Sequence, residues 1–192
     1  MQFYPFSAML ARMKYISRWG RMRSARTESL CEHTADTALL AHTLALISVS
    51  IYGTQVRCET VCVAALYHDA SEILTGDMPT PIKYDNPDIQ SAYKQVEAVA
   101  ERRRLAMLPP ELQGVYEPIL TEADPEIRRV VKAADKLSAY IKCVEELKAG
   151  NNEFRKAAAQ TRRALEEYGL PEVAYFLETF MDSFSLTLDE LQ

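Results

Sequence analysis

The sequence lacks the long apolar runs and the biased composition that mark several classes of protein. No uninterrupted apolar stretch in its 192 residues approaches the ~18 residues that a membrane-spanning helix needs. Glycine and proline are few, at 6 and 9 residues, and charged residues make up an ordinary 26%. These features argue against a membrane protein, a disordered chain and a fibrous repeat. The 48% apolar content suffices for one domain, which we expect to cover residues 1–192.

Closely spaced cysteine pairs and a secretory signal are also absent. The four cysteines form no C-x-x-C pair, so we expect reduced packing side chains and neither a zinc ribbon nor a disulfide framework. Without a signal that would direct the chain elsewhere, we predict a cytoplasmic location.

Charge is distributed unevenly along the chain. The net charge of −5 argues against nucleic acid as the main partner. Residues 1–27 nevertheless contain six basic residues and no acidic one. This basic segment could bind a small anion or could be a solvated face, and its composition does not decide between the two.

Helical periodicity runs through almost the whole chain, whereas the alternation typical of strands is nearly absent. Asp124-Pro125 is a typical helix start, and Gly53 is a typical helix stop. The predicted helices cover roughly residues 4–17, 29–52, 56–74, 88–107, 110–120, 125–149, 153–168 and 171–182, with an irregular segment at 18–29. We therefore predict an all-α fold, a single helical bundle.

Histidine and aspartate stand at informative positions. The chain has three histidines, and one of them, His68, directly precedes Asp69 near the end of the apolar third helix. Aspartate is rarely buried unless it is paired or binds a metal, so Asp69 is either a metal ligand or a solvent-facing group at the helix end. Because the predicted third helix continues to residue 74, Glu72 lies on the same side as both residues. Asp135 borders the apolar face of its own helix, where it either faces solvent or enters a site.

These residues, in this order, resemble a known family. His33, His68-Asp69 and the distant Asp135 match the ligand pattern of the HD-domain metal-dependent phosphohydrolases. Further motifs resemble the bacterial 5′-deoxynucleotidases over roughly residues 3–190: Ser17-Arg18-Trp19, Arg26-Thr27-Glu28, Glu32-His33, Tyr67 to Glu72, Leu74 to Pro81, and Glu145-Glu146-Leu147 to Asn152-Glu153-Phe154. The resemblance implies an all-α HD domain, hydrolysis of deoxyribonucleoside 5′-monophosphates and a homodimer.

The resemblance also implies a role for each matching residue. The implied metal ligands are His33, His68, Asp69 and Asp135. Glu72 would be the acid/base, and Arg18 would orient the substrate phosphate during catalysis. The implied substrate-binding residues are Arg18, Trp19, His33, Asp77, Met78, Pro79, Thr80 and Asp135. Two positions depart from the expected pattern, namely Met78, where relatives are expected to have leucine, and Lys136, where a small residue is expected.

The residue types suit this chemistry. Mixed histidine and carboxylate ligands favour one divalent transition metal, which could be Co, Mn, Zn, Ni or Fe. Such a metal lowers the pKa of a bound water from about 15.7 towards 7. The Arg18 guanidinium can stabilise charge on the phosphoryl oxygens. Either Glu72 or a water on the metal could protonate the leaving 5′-oxygen.

Two other functions remain open at this level. An HD phosphohydrolase could act instead on a deoxynucleoside triphosphate, a cyclic nucleotide or an alarmone, but such substrates usually require more basic residues beside the metal than Arg18. The chain could also be a non-catalytic nucleotide-binding module.

The C-terminal aromatic residues could form a dimer face or cover the protein's own core: Tyr175, Phe176, Phe180 and Phe184.

Overall fold

The computed structural model describes residues 2–78, 86–121 and 123–192. Within these ranges the chain forms α-helices and short 3-10 helices and has no β-strand, so the predicted all-α helical bundle is confirmed. The α-helices are α1 (Phe6–Leu10), α2 (Leu30–Tyr52), α3 (Cys58–Tyr67), α4 (Glu72–Thr75), α5 (Pro87–Leu105), α6 (Pro110–Thr121), α7 (Pro125–Lys148), α8 (Arg155–Glu167) and α9 (Pro171–Thr179). The 3-10 helices cover Ala11–Tyr15, Asn152–Phe154, Met181–Ser185 and Asp189–Leu191.

Two long helices, α2 and α7, form the centre of the bundle. Helix α2 begins with a capping box, in which Ser29 and Glu32 satisfy each other's free backbone N–H groups, and it ends at Gly53 in the left-handed conformation. Helix α7 begins with the Asp124 side chain accepting a hydrogen bond from the Glu126 N–H. Both helices pack against each other and against α3, so the side chains that they direct inwards share one buried core.

Helix α2 is long and apolar enough, by length and composition alone, to cross a membrane. Of the 18-residue apolar stretch that meets this criterion, 44% is buried inside the protein. Core helices of globular proteins pass the same test. Here α2 packs against α3, α7 and α9, which accounts for its apolar character as core packing.

The first predicted helix, over residues 4–17, is shorter than expected and changes its type. Helix α1 ends at Leu10, and a 3-10 helix follows to Tyr15. Beyond it the backbone pairs with a distant segment, because the Leu30 N–H donates to the Ile16 carbonyl at 2.8 Å and the Arg18 N–H donates to the Glu28 carbonyl at 2.9 Å. Residues 16–29 form an irregular loop closed at its base, which we call the Arg18 loop; its irregular course agrees with the prediction.

The third predicted helix, over residues 56–74, is wrong as a continuous helix. Helix α3 ends at Tyr67, and tight turns separate it from the four-residue helix α4. In these turns the Ala70 N–H donates to the Tyr67 carbonyl and the Glu72 N–H donates to the Asp69 carbonyl. Both hydrogen bonds join residues three apart, whereas an α-helix joins residues four apart. The helical spacing argument that placed His68 and Glu72 on one side therefore does not apply.

The C-terminal aromatic residues cover the protein's own core. Phe176 is buried, and Tyr175 and Phe184 pack against the main core cluster. Phe180 is more exposed but stacks on Phe176 with 5.0 Å between the ring centroids. These contacts favour the interpretation that the aromatic cluster covers the protein's own core and does not form a dimer face. The homodimer stays a prediction.

The four cysteines are free, as predicted, but they differ in burial. Cys143 lies in the core, whereas Cys31 is exposed and is therefore not a packing residue.

Candidate metal centre and adjoining cavity

Four side chains from three parts of the bundle converge where α2, α7 and the turn after α3 meet. His33 lies near the start of α2, His68 and Asp69 follow α3, and Asp135 lies in the middle of α7. Each of the four offers a ligand atom, and these atoms all lie within 4.8 Å of one another. The structure thus brings together all four residues that the sequence predicted as metal ligands.

The distances in this cluster are short. His33 Nε2 lies 3.1 Å from Asp135 Oδ1 and 3.4 Å from Asp69 Oδ2, and His68 Nε2 lies 3.0 Å from Asp69 Oδ2. Two ligands that are each about 2.1 Å from a metal and at right angles are separated by about 3 Å. The spacing of the four donor atoms therefore fits a shared metal ion.

Hydrogen bonds on the far side of each imidazole orient the two histidine rings. His68 Nδ1 donates to the Ala65 carbonyl at 2.7 Å, and His33 Nδ1 lies 3.0 Å from Ser138 Oγ. These contacts leave both Nε2 atoms for the centre of the cluster, as is usual for histidines that bind metals. His68 Nε2 is buried and its near neighbour is Asp69 Oδ2, so a metal ion between the two would bind both atoms.

The electrostatics of the metal-free cluster favour ionised carboxylates. Burial raises the pKa of Asp69, but the His68 charge and the hydrogen bonds from both histidines outweigh it and hold the pKa well below its ordinary value. Burial lowers the pKa of His68, but the charge of Asp69 and its hydrogen bond outweigh this effect and raise the pKa to about 9. Metal binding must therefore displace a proton from His68 near neutral pH.

The Arg18 loop places two further predicted residues beside this cluster. Arg18 Nη1 donates to Glu28 Oε2 at 3.1 Å, and Trp19 Nε1 donates to the same oxygen at 2.9 Å. Trp19 has a φ of +59°, a left-handed conformation that is strained for a residue with a side chain. Its ring packs on Phe154, with 5.3 Å between centroids, so contacts on two sides hold it in this conformation.

A buried carboxylate on α7 anchors the far end of the loop. Glu146 accepts hydrogen bonds from the Ala25 N–H at 2.7 Å, the Arg26 N–H at 3.2 Å, Lys142 Nζ at 2.5 Å and Asn151 Nδ2 at 2.7 Å. Burial raises the pKa of Glu146, but these hydrogen bonds lower it to about 2. Glu146 belongs to one of the motifs that carry the family resemblance, but no role was predicted for it.

A cavity of about 670 Å³ extends from the metal-ligand cluster to α8. Its lining includes Arg18, Trp19, Asp77, Met78, Asp135 and Lys136 on one side and Ala157, Gln160, Thr161 and Ala164 of α8 on the other. Burial raises the pKa of Asp77, and the Arg18 charge partly offsets this effect. Pro79 and Thr80, which were also predicted to contact substrate, lie outside the described residues.

The cavity is more basic than the sequence analysis expected. Besides Arg18, both Arg21 and Lys136 line it. Contrary to the expectation, Arg18 is therefore not the main cation beside the metal ligands. Arg21 lies in the irregular loop, where no periodicity predicts the direction of a side chain, and Lys136 follows Asp135 on α7.

Glu72 lies next to the metal-ligand cluster in the chain. It is 8% exposed at the start of α4, and its N–H donates to the Asp69 carbonyl at 2.9 Å. Its burial fits a specific contact, while its role as acid/base stays a prediction.

Comparison with known proteins identifies the family. A family model described as "5′-deoxynucleotidase YfbR-like" matches residues 5–184. The chain belongs to the YfbR-like 5′-deoxynucleotidase family. Among curated relatives, a 5′-deoxynucleotidase of Vibrio cholerae is 50% identical over 193 residues, covering 100% of both chains. A 5′-deoxynucleotidase of Photorhabdus laumondii is 46% identical over 188 residues, covering 97% of this chain and 95% of the relative.

Solved structures share the fold at lower sequence identity. An HD-domain phosphohydrolase of Listeria innocua has a TM-score of 0.81 at 22% identity and covers 93% of this chain and 87% of its own. The HD phosphohydrolase DatZ of cyanophage S-2L, solved with dA and one catalytic Zn²⁺ ion, has a TM-score of 0.62 at 23% identity, covering 92% of this chain and 96% of its own. These likenesses establish the HD-domain fold that the sequence analysis expected.

Proposed function

We propose that this member of the YfbR-like 5′-deoxynucleotidase family is a metal-dependent hydrolase that converts deoxyribonucleoside 5′-monophosphates into deoxynucleosides and phosphate. One observation carries the proposal: a cluster of two histidines and two aspartates opens into a cavity that Arg18 and Trp19 line. The 50% identity to a full-length curated 5′-deoxynucleotidase supports the same activity.

His33, His68, Asp69 and Asp135 would hold the metal. Their two imidazoles and two carboxylates suit Mn, Fe, Co, Ni or Zn better than Ca. The bound ion would supply Lewis acidity, which activates water for attack and withdraws charge from a phosphoryl oxygen. Ser138 and the Ala65 carbonyl keep the two imidazoles oriented towards the ion through their Nδ1 atoms.

Arg18 would bind the phosphate of the substrate. Its guanidinium lines the cavity together with Asp135, so a phosphate between them would contact both the arginine and the metal. Planar guanidinium groups bind phosphate oxygens with paired hydrogen bonds, and these strengthen as charge develops on the oxygens. In this role Arg18 stabilises the transition state more than the bound substrate.

The sugar and base would occupy the rest of the cavity, which is large enough for a mononucleotide at about 670 Å³. Trp19 provides a rigid wall for the deoxyribose, and Asp77 and Met78 line the cavity near it. A wall of this kind excludes a 2′-hydroxyl by contact.

Glu72 would act as the acid/base. During hydrolysis a bond forms between the attacking water oxygen and phosphorus and the water gives up a proton, while the bond from phosphorus to the 5′-oxygen breaks and the 5′-oxygen takes up a proton. The burial of Glu72 and its place three residues after Asp69 put a carboxyl group close to the metal ligands, where a general acid or base is needed.

We also propose that the protein acts as a cytoplasmic homodimer whose residues 1–192 form one domain, without nucleic-acid or membrane partners. The net charge of −5 supports the absence of nucleic acid. Exposed apolar side chains on α2 and α3 offer a surface for a second copy: Leu39, Leu46, Val63 and Leu66. Sedimentation at micromolar concentration tests the dimer, and a single species with the monomer mass of 21.7 kDa would contradict it.

The activity is tested by phosphate release from a panel of nucleotides. Metal-stripped protein is supplied with Co, Mn, Ni, Zn, Fe or Mg and mixed with ribo- and deoxyribonucleoside mono-, di- and triphosphates. We expect metal-dependent release from the deoxyribonucleoside monophosphates. Release from triphosphates alone would retain the metal site but overturn the substrate, and no release with metal bound would indicate a binding module.

A further inference from the structure

The orientation of Arg18 depends on a carboxylate to which the sequence analysis gave no role. The Arg18 side chain is 13% exposed, and Nη1 of its guanidinium donates to Glu28 Oε2 at 3.1 Å. Glu28 lies across the base of the Arg18 loop, where its carbonyl accepts from the Arg18 N–H at 2.9 Å. Backbone and side-chain contacts thus join the same two residues.

The contact with Glu28 uses one end of the guanidinium and leaves another donor unpaired. Arg18 Nε is buried and has no hydrogen-bond partner in the part of the chain that the structure describes. A buried guanidinium N–H without a partner is unfavourable, so a ligand oxygen at this edge would satisfy it. Phosphate provides such oxygens and binds arginine through two parallel hydrogen bonds.

The same carboxylate oxygen also fixes the tryptophan. Trp19 Nε1 donates to Glu28 Oε2 at 2.9 Å, which ties the indole ring to the acceptor that holds Arg18. The Glu28 side chain is 7% exposed, so its charge is poorly solvated and its two donors are its main stabilising contacts. One buried oxygen therefore sets the positions of both cavity residues.

We propose that Glu28 is a positioning residue. It holds Arg18 so that the unpaired Nε–H can bind the substrate phosphate, and it holds Trp19 against the sugar. The inference rests on the proposed function of Arg18 and Trp19. It assigns to Glu28 a task different from that of Glu146, because Glu146 binds backbone N–H groups of the loop whereas Glu28 binds the two functional side chains.

The test compares the metal-loaded wild-type protein with Glu28→Gln. The amide keeps the size of the side chain but loses the charge that strengthens both hydrogen bonds, so we expect kcat for dAMP to fall about 10- to 100-fold. KM and metal content should change little.

Trp19 is the only tryptophan, so its fluorescence emission should shift in Glu28→Gln. The control is Glu153→Gln, which makes the same charge-removing change at the exposed carboxylate that accepts from the Arg23 N–H and should change neither kcat nor emission.

A double-mutant cycle separates positioning from general stability. If Glu28 acts through Arg18, Glu28→Gln should reduce kcat much less in an Arg18→Ala background than in the wild type. Equal fold-changes in both backgrounds would overturn the inference, as would unchanged kcat and unchanged Trp19 emission in the single variant.

A binding measurement keeps this inference separate from the proposed activity. If the metal-loaded wild type hydrolyses no nucleotide, the proposed function fails. Titration with inorganic phosphate, followed by Trp19 fluorescence, then still tests Glu28. A response that weakens at least several-fold in Glu28→Gln supports the positioning role, and equal responses contradict it.

Discussion

The metal-ligand cluster and the Arg18 loop meet at one cavity, but different forces hold them in place. Three of the four cluster residues lie within or directly after the central helices α2, α3 and α7, whose packing forms the main core. The Arg18 loop has no regular structure and depends on a few hydrogen bonds to the carboxylates of Glu28 and Glu146. The ligand positions are therefore a property of the whole bundle, and the loop position is a property of a small number of side-chain contacts.

This difference implies that metal binding and substrate handling can be separated by mutation. A change in the cluster removes ligands but leaves the helices packed. A change in the loop leaves the metal in place but misorients the groups that contact substrate.

The largest effect is expected for Asp69→Ala. It removes a ligand and leaves His33 and His68 without the carboxylate that lies 3.4 Å and 3.0 Å from them. We expect loss of bound metal and a fall in dNMP hydrolysis of at least about 10³-fold, since catalysis by the ion is lost with it. Elemental analysis of reconstituted protein and phosphate release measure the two effects. Asp182→Ala, which removes an exposed acid, is the control, and full activity of Asp69→Ala would contradict the metal-dependent mechanism.

The next largest effect is expected for Arg18→Ala, which tests whether the two regions are separable. Removing one group that stabilises transition-state charge costs about 10²- to 10³-fold in kcat. Metal content should stay at the wild-type level, because none of the four ligand atoms belongs to the loop. Arg26→Ala is a matched control, since its side chain is 71% exposed in the same loop. Loss of metal in Arg18→Ala would show that the regions are not independent.

The same contrast explains which parts of the molecule the sequence could predict. The ligand set follows from residue types at helix positions together with a family resemblance, and most helix bounds follow from periodicity and capping. The break after Tyr67 did not follow, because three-residue backbone contacts at 68–72 replace the helical pattern without any glycine or proline. The roles of Glu28 and Glu146 did not follow either. Glu28 binds side chains 9 and 10 residues away, and Glu146 binds backbone N–H groups 120 and 121 residues away, and no local pattern encodes such contacts.

A smaller effect, mainly on stability, is expected for Glu146→Gln. The variant weakens four hydrogen bonds and leaves the buried Lys142 ammonium without its opposite charge, which costs about 3 kcal/mol. We expect a lower melting temperature and a loop that is less ordered, while metal content is retained. Glu145→Gln changes the exposed neighbouring acid and is the control.

The pH dependence of this variant has a definite sign. Because the folded pKa of Glu146 is about 2, below its ordinary value of 4.5, its contribution to stability is present above about pH 4.5 and declines as the pH falls towards 2. The difference in melting temperature between wild type and Glu146→Gln should therefore be largest above pH 5 and shrink in acid. A difference that grows in acid would contradict the ionised state of Glu146.

The smallest effect is expected for Trp19→Ala, which tests the specificity of the loop. The indole is the rigid wall that we assign to the deoxyribose, and Phe154 and Glu28 support it. A wall that excludes one hydroxyl by contact discriminates by about 10- to 100-fold, so its removal should narrow the ratio of kcat/KM for dAMP over AMP by up to that factor. Activity on dAMP should fall less than in Arg18→Ala, because Trp19 stabilises no developing charge.

The measurement is kcat/KM for both nucleotides at saturating metal, with Phe184→Leu as a control that alters an aromatic residue at the C-terminal end of the core. An unchanged ratio in Trp19→Ala would move the discrimination to another residue of the cavity lining, for which Asp77 is the candidate.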